Sequence, residues 1–333
     1  MSCERKASSE CVVMSKGLYR ELCAKEDGIS VFSRDWWLDI VCGENWDALT
    51  LKKKGRVHAA MPLYIPWGRI ILMPHYTQTM GIWFAAGADD TKYASALEHR
   101  QTICRYFTGQ LKKYRIFFQN FGYEFTDWLP FYWDGYTQTT RYTYVLNDLK
   151  DTGRMLANMS QQVRRNIKKA EEQAVTVRRN IPADDFLRIQ SLTFQRQKKR
   201  NIQSVAVLRR LIDAARKRGQ GDVFGGYDRE GRLHAAAFVV WQKSSAYYIA
   251  GGGDPALRSS GAHSLVLWEA IKYVSQYTDT FDFEGSMIPG VERFFREFGA
   301  VQKPYFTISR GKLSLIDRIC IKLKREIRER TIE

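Results

Sequence analysis

The order of segments between residues 222 and 284 constrains this chain more than any other feature. Three apolar, β-rich runs follow one another at residues 222–227, 233–241 and 245–250, the first two joined by the turn residues Arg229, Glu230, Gly231 and Arg232. A glycine-rich stretch at 251–260 leads into a helical pattern at 262–276, and a further strand follows at 280–284. Two helical segments precede the strands, one running to Thr193 and opened by Pro182, Asp184 and Asp185, the other at 205–217. Helix, helix, three antiparallel strands, helix, strand is an α/β (α+β) layout, a mixed and mostly antiparallel sheet flanked by helices.

A chain of 333 residues exceeds what one hydrophobic core usually supports, so two domains are expected. The first half carries its own pattern: helices at 17–25 and 35–41, paired strands at 47–52 and 57–64 joined through Lys52–Gly55, a helix at 92–114, and strands at 115–120 and 137–146. Between them, residues 75–84 mix glycine and hydroxyl residues with large aromatics and read as the lining of a cleft, with Tyr76 and Trp83 as acceptor-binding candidates. The expected division is a first domain at 1–150, a second at 151–312, and a basic amphipathic C-terminal helix at 313–333. That helix sets Leu315, Ile316, Ile319, Ile321, Leu323 and Ile327 among charges, and is expected to pack on the body, with a partner helix or a membrane surface as alternatives.

Three stretches resemble the FemAB branch of peptidyl and acyl transferases, bacterial-type enzymes of the GNAT fold, and they stand in that family's order. Arg164, Ile167 and Ala170 give the basic R-x-x-I-x-x-A helix that opens the second domain. Tyr248-Ile-Ala-Gly-Gly-Gly-Asp-Pro and Gly261-Ala-His-Ser-Leu form the second stretch, and Phe281-Asp-Phe-Glu-Gly-Ser-Met with Gly290-Val-Glu-Arg-Phe-Phe the third. The resemblance covers mainly residues 155–310, with a weaker match around Pro74–Gly81. It implies two tandem GNAT-like domains and transfer of an acyl or aminoacyl group from a thioester or ester donor to an amine, in envelope or polysaccharide precursor metabolism. The donor implied is acetyl-CoA or another acyl-CoA, with aminoacyl-tRNA as the alternative. Two departures stand out: the short 205–217 helix leaves no room for a coiled-coil insertion, and Phe295 follows Arg293-Phe294 where peptidoglycan-directed relatives carry lysine.

In such a fold the phosphate-binding loop joins a strand to a helix, whose unpaired N–H groups and positive dipole end suit a pyrophosphate. Arg258, Ser259, Ser260, Gly261, Ala262 and His263 occupy that junction and are the donor-binding candidates, beside the bland reading of an ordinary helix cap. Acyl transfer needs a neutral amine, stabilisation of the carbonyl oxygen and a route for the lost proton. Glu284, at a strand end, is the candidate to orient or deprotonate the amine, with pairing to Arg293 or Arg296 as the competing role. Tyr248 and Arg293 complete the catalytic candidates. No H-E-x-x-H or clustered Cys/His spacing occurs, so no metal is expected.

Lysine plus arginine exceed aspartate plus glutamate by 52 to 36, a net charge of +16 that favours an anionic partner such as RNA or a phosphate-rich donor. A non-catalytic RNA- or tRNA-binding GNAT fold is therefore the competing function, carried by Arg164, Arg165, Lys168 and Lys169. The six cysteines show no C-x-x-C spacing, and no run approaches the ~20 apolar residues of a membrane span. A cytoplasmic protein is expected.

Overall fold

The computed structural model describes residues 11–85, 92–196 and 204–332, so the run of basic residues at 196–200 in the sequence lies almost wholly outside the described residues. The chain divides into two compact units, residues 1–141 with 304–333, and residues 142–303.

In the second unit, Thr176–Arg179, Gly221–Tyr227, Leu233–Trp241 and Ala246–Gly253 run antiparallel in that spatial order. Thr280–Asp282 pairs parallel with Ala246–Gly253, and its other side pairs antiparallel with residues 145–147. All nine residues of Leu233–Trp241 are buried, as befits a strand covered on both faces. Helix Ala262–Val274 supplies one cover with Leu265, Val266, Leu267, Ala270 and Ile271, and helices Ala183–Arg196 and Val205–Lys217 also pack on the sheet. Ser160 caps a helix Gln161–Glu172, its Oγ accepting the Val163 N–H at 3.2 Å, after a separate helix Thr152–Asn158. Val163, Ile167 and Ala170 form its buried stripe, while Arg164, Arg165, Lys168 and Lys169 are exposed.

The first unit has the strand order Cys11–Met14, Trp46–Lys53, Arg56–Trp67, Ile70–Leu72, Ile116–Phe121, Val301–Arg310. All pairs are antiparallel except Ile70–Leu72 with Ile116–Phe121. Its core gathers Phe107, Phe117, Phe121, Phe131 and Tyr136.

This division differs from the expected one at 150 and 312, because the first unit takes in the last segment of the chain. The reason is visible in its contacts. Phe306–Arg310 completes the sheet beside Ile116–Phe121, and Arg310 donates to the carbonyls of Leu111 and Tyr114 at 2.9 Å. The helix Leu315–Ile332 is tied by Asp317, which is buried, binds Arg115 and closes a capping box with Ser314. It is part of the first unit and not a separate tail.

Candidate active site

The site is built where two neighbouring strands of the second unit part. Strand Ala246–Gly253 is bulged: Phe238 faces Ala250, but Val239 faces Tyr248, so Ile249 is an extra residue. The bulge brings Tyr248 and Gly251 to the same side, and a Cβ on Gly251 would collide with the Tyr248 hydroxyl. Next to it, a Cβ on Gly252 would stand 2.7 Å from the Gln190 backbone of helix Ala183–Arg196. The glycine run is therefore set by close packing on both faces.

The parallel pairing with Thr280–Asp282 lasts only through Ala246↔Phe281 and Tyr247↔Asp282. There the chains separate, since the Phe283 N–H turns away to the Tyr144 carbonyl at 3.0 Å. From Tyr248 onward no strand among the described residues pairs with that edge of Ala246–Gly253.

Tyr248 Oη lies 3.1 Å from His263 Nε2, in the first turn of helix Ala262–Val274. Phe295 meets the tyrosine edge-on at 6.0 Å and Phe294 meets the histidine at 5.3 Å. Phe283 stacks on Phe295 at 5.0 Å, so the position where relatives carry lysine is here part of an aromatic wall, 5% exposed. Burial pushes the Tyr248 phenol well above its ordinary range and keeps it a neutral hydrogen-bond donor.

Glu284 does not end a strand as expected. The strand stops at Asp282, and Glu284 sits in a left-handed turn with φ 59°, followed by Gly285 with φ 66°. Asp282 fixes this turn, its Oδ1 accepting the Glu284 N–H at 2.7 Å and bonding the Thr143 hydroxyl. A Cβ on Gly285 would strike the Tyr142 carbonyl, so glycine is required there. The Glu284 Oε1 atom is buried with no hydrogen-bond partner. Burial, then the nearby Asp282 charge, raises this carboxyl well above its ordinary range, so it carries a proton to a higher pH than a solvated glutamate. A strained residue holding an unpartnered buried acid is the kind of feature that clusters at functional sites.

The donor-binding candidates separate by position. Arg258 and Ser259 are exposed on the short 3-10 turn Arg258–Ser260, while Ser260 and Ala262 are buried. Gly261, at φ 79°, is pressed against the backbone of helix Gln161–Glu172, where a Cβ would meet the Asn166 carbonyl oxygen. Its lack of a side chain thus serves helix packing.

Sequence reasoning missed the brace behind this loop. His234, read only as a strand residue, places Nδ1 2.9 Å from Ser260 Oγ and Nε2 2.9 Å from Asp228 Oδ2. Burial works to raise the Asp228 carboxyl, but His234 and the Arg232 N–H and guanidinium overcome it and hold it well below its usual range. The residue types are those of a nucleophile triad, yet Ser260 is 3% exposed and its Oγ accepts the Ala262 N–H at 3.3 Å. The network locks the loop. The only sequence signal was the Asp228–Arg232 spacing across a turn.

Arg293 is not brought into the cluster. Its guanidinium pairs with Glu297 at 2.8 Å and is 71% exposed, and Arg296 pairs with Glu292, so neither arginine neutralises Glu284. Tyr76 and Trp83 belong to the first unit. Tyr76 is 5% exposed with φ 56°, and Trp83 lies half-buried on the two-residue strand Trp83–Phe84, which pairs with Ala59 and Ala60. Among the described residues no group of three or more His, Cys, Asp or Glu is gathered as for a metal ion.

A bulged strand parting from its parallel neighbour in front of a loop-capped helix defines the GNAT class of N-acyltransferase fold. Residues 157–296, within the second unit, match the sequence model of the family described as acetyltransferase (GNAT) domain. No curated protein matches the chain. Among solved structures, FemX is 12% identical, with 90% of this chain and 96% of FemX covered at a TM-score of 0.64. L-PGS from Bacillus licheniformis is 12% identical over 94% and 97% of the two chains, TM-score 0.53. A tandem GNAT protein from the clavulanic acid biosynthesis pathway is 12% identical over 90% and 98%, TM-score 0.50. At these identities the likeness shows the fold alone, one shared with these structures.

Proposed function

We propose that the second unit transfers an acyl group to an amine at the point where strands Ala246–Gly253 and Thr280–Asp282 part. The observation that carries this reading is the buried, unpartnered Glu284 carboxyl beside an open strand edge that also presents the Tyr248–His263 pair. The donor brings an activated acyl group and a phosphate-bearing handle. The unpaired edge beyond Tyr247 offers backbone groups to an extended chain, and Arg258 and Ser259 offer charge and hydroxyl to phosphates. Those features fit an acyl-CoA.

As the amine nitrogen bonds to the acyl carbon, one proton must leave the nitrogen and one must reach the departing group. Deprotonated Glu284 takes the first. Tyr248, a neutral phenol, supplies the second and is reprotonated through His263. No covalent enzyme intermediate is needed. The amine is expected on a small molecule or an envelope precursor.

One observation favours an aminoacyl-tRNA as the alternative donor. The helix Gln161–Glu172, with four exposed cations, touches the donor loop itself through Asn166 and Gly261. Calorimetric titration separates the two. Micromolar binding of acetyl-CoA with weak salt dependence supports a thioester donor, whereas affinity for aminoacyl-tRNA falling steeply with salt supports the polyanion. Binding of neither, in folded protein, rejects the proposed donor site.

A further inference from the structure

The first unit carries a surface that acyl transfer does not use. Helix Leu315–Ile332 is anchored on one side by the buried Asp317, and on the opposite side it exposes Leu315 at 74%, Ile316 at 72%, Ile319 at 50% and Leu323 at 52%. Spacings of one, four and eight residues place these four on a single stripe. Trp67, 40% exposed at the end of strand Arg56–Trp67, lies beside the same helix, with Lys324 Nζ 4.7 Å from its ring.

Cations surround this apolar stripe. Arg318, Lys322 and Lys324 are exposed on the helix, and Lys312 is exposed just before it. Arg69 and Lys113, also exposed, are joined to each other through the Arg69 Nε–Lys113 carbonyl bond and to the helix through the Arg115–Asp317 pair. The single acid among residues 311–324 is Asp317, which is buried and paired, so no negative charge on that segment faces outward.

We infer that this face docks in plane on a bilayer surface containing anionic lipid. An exposed apolar stripe edged by lysine and arginine is the composition of an interfacial helix, and a half-exposed tryptophan beside it sits well at headgroup depth. The cations supply attraction to anionic headgroups that a neutral surface does not match. A peripheral contact is meant: among the described residues no helix is long and apolar enough to cross a membrane.

The test is flotation of the full chain with phosphatidylcholine vesicles, with and without phosphatidylglycerol. Binding to the phosphatidylglycerol vesicles is expected, weakened at high salt, with at least tenfold less binding to phosphatidylcholine alone. Ile316→Asp with Ile319→Asp should lose that binding at least tenfold at an unchanged Tm. Should that variant unfold, Arg318→Glu with Lys322→Glu, also at exposed positions, decides the matter by the same loss. The inference is overturned by absent binding to anionic vesicles or by unchanged binding of a folded variant. It is equally overturned by self-association that the same variants abolish, because the face would then belong to a second copy of the chain.

Discussion

The two units contain sheets of similar composition but close them differently. In the first, Ile116–Phe121 is paired on both sides, by Ile70–Leu72 and by Phe306–Arg310, and Phe117, Phe121, Phe131 and Tyr136 fill the layer above with ring contacts of 5.3–6.3 Å. Its buried thiols are raised by burial, Cys104 to about 12 and Cys23 to about 11, and stay protonated and unreactive at neutral pH. In the second, Ala246–Gly253 loses its parallel neighbour after two residues; Tyr248 and His263 meet beyond that point, and the chain of the departing strand turns at Glu284, whose Oε1 is buried without a hydrogen-bond partner. Early parting of one strand pair, beside a bulge and two left-handed residues, leaves a strand edge unpaired among the described residues where the first unit fills its layer with rings.

The comparison breaks most sharply at glycines. Gly261→Val should destabilise the second unit by about 3 kcal/mol or more, because a branched side chain at φ 79° is strained and meets fixed backbone at Asn166. Gly81→Val in the first unit, at φ 99°, meets the Phe121 ring at 2.8 Å and should cost less, since a ring has room to shift where a helix backbone does not. Paired chemical denaturation curves measure both. Equal losses would show that backbone strain alone, and not the helix contact, sets the cost.

Tyr248→Phe should lower the turnover of acyl transfer by roughly 10²–10⁴-fold while leaving donor affinity and Tm near the parent values, as befits loss of one proton donor. A drop confined to KM would make the residue a binding group instead.

Glu284→Gln should separate stability from activity. The folded carboxyl is raised above its ordinary value of 4.5, so its contribution to stability is complete below that pH and declines as pH climbs through the folded value. Glutamine removes the decline. The variant should match the parent near pH 4, melt higher at pH 8 by about 2–4 °C for each kcal/mol relieved, and transfer acyl groups poorly at every pH. An unchanged difference between the two proteins from pH 4 to 8 would show that the carboxyl does not titrate in that window. Smallest of all, Arg258→Ala should weaken a phosphate-bearing donor by about five- to tenfold with no change in fold, since this arginine is exposed.

Much of the second unit was legible because its signals are local. Strand runs bounded by turn residues and the order of segments led directly to the observed elements. The turn at Glu284 and the close fit of Gly261 went unread because each involves a distant partner, Tyr142 against Gly285 in one case and Asn166 against Gly261 in the other. Arg293 was overread, since an i,i+4 glutamate had already claimed it. The His234–Ser260–Asp228 brace joins residues from a turn, a strand and a loop, and no periodicity announces such a meeting. The place of residues 304–333 followed from sheet pairing across the whole chain, which sequence pattern does not encode.

The interruption of the first unit by the second also fixes an order of events during synthesis. As the chain emerges from the ribosome, residues 142–303 come out as one contiguous stretch. The flanking unit does not. The carbonyl of Leu111 waits for Arg310, 199 residues later, and until then the edge of Ile116–Phe121 is unprotected. The nascent chain therefore finishes its inserted unit first and closes the flanking one last, and slow translation or truncation near residue 300 exposes an open sheet edge to aggregation while leaving the inserted unit complete.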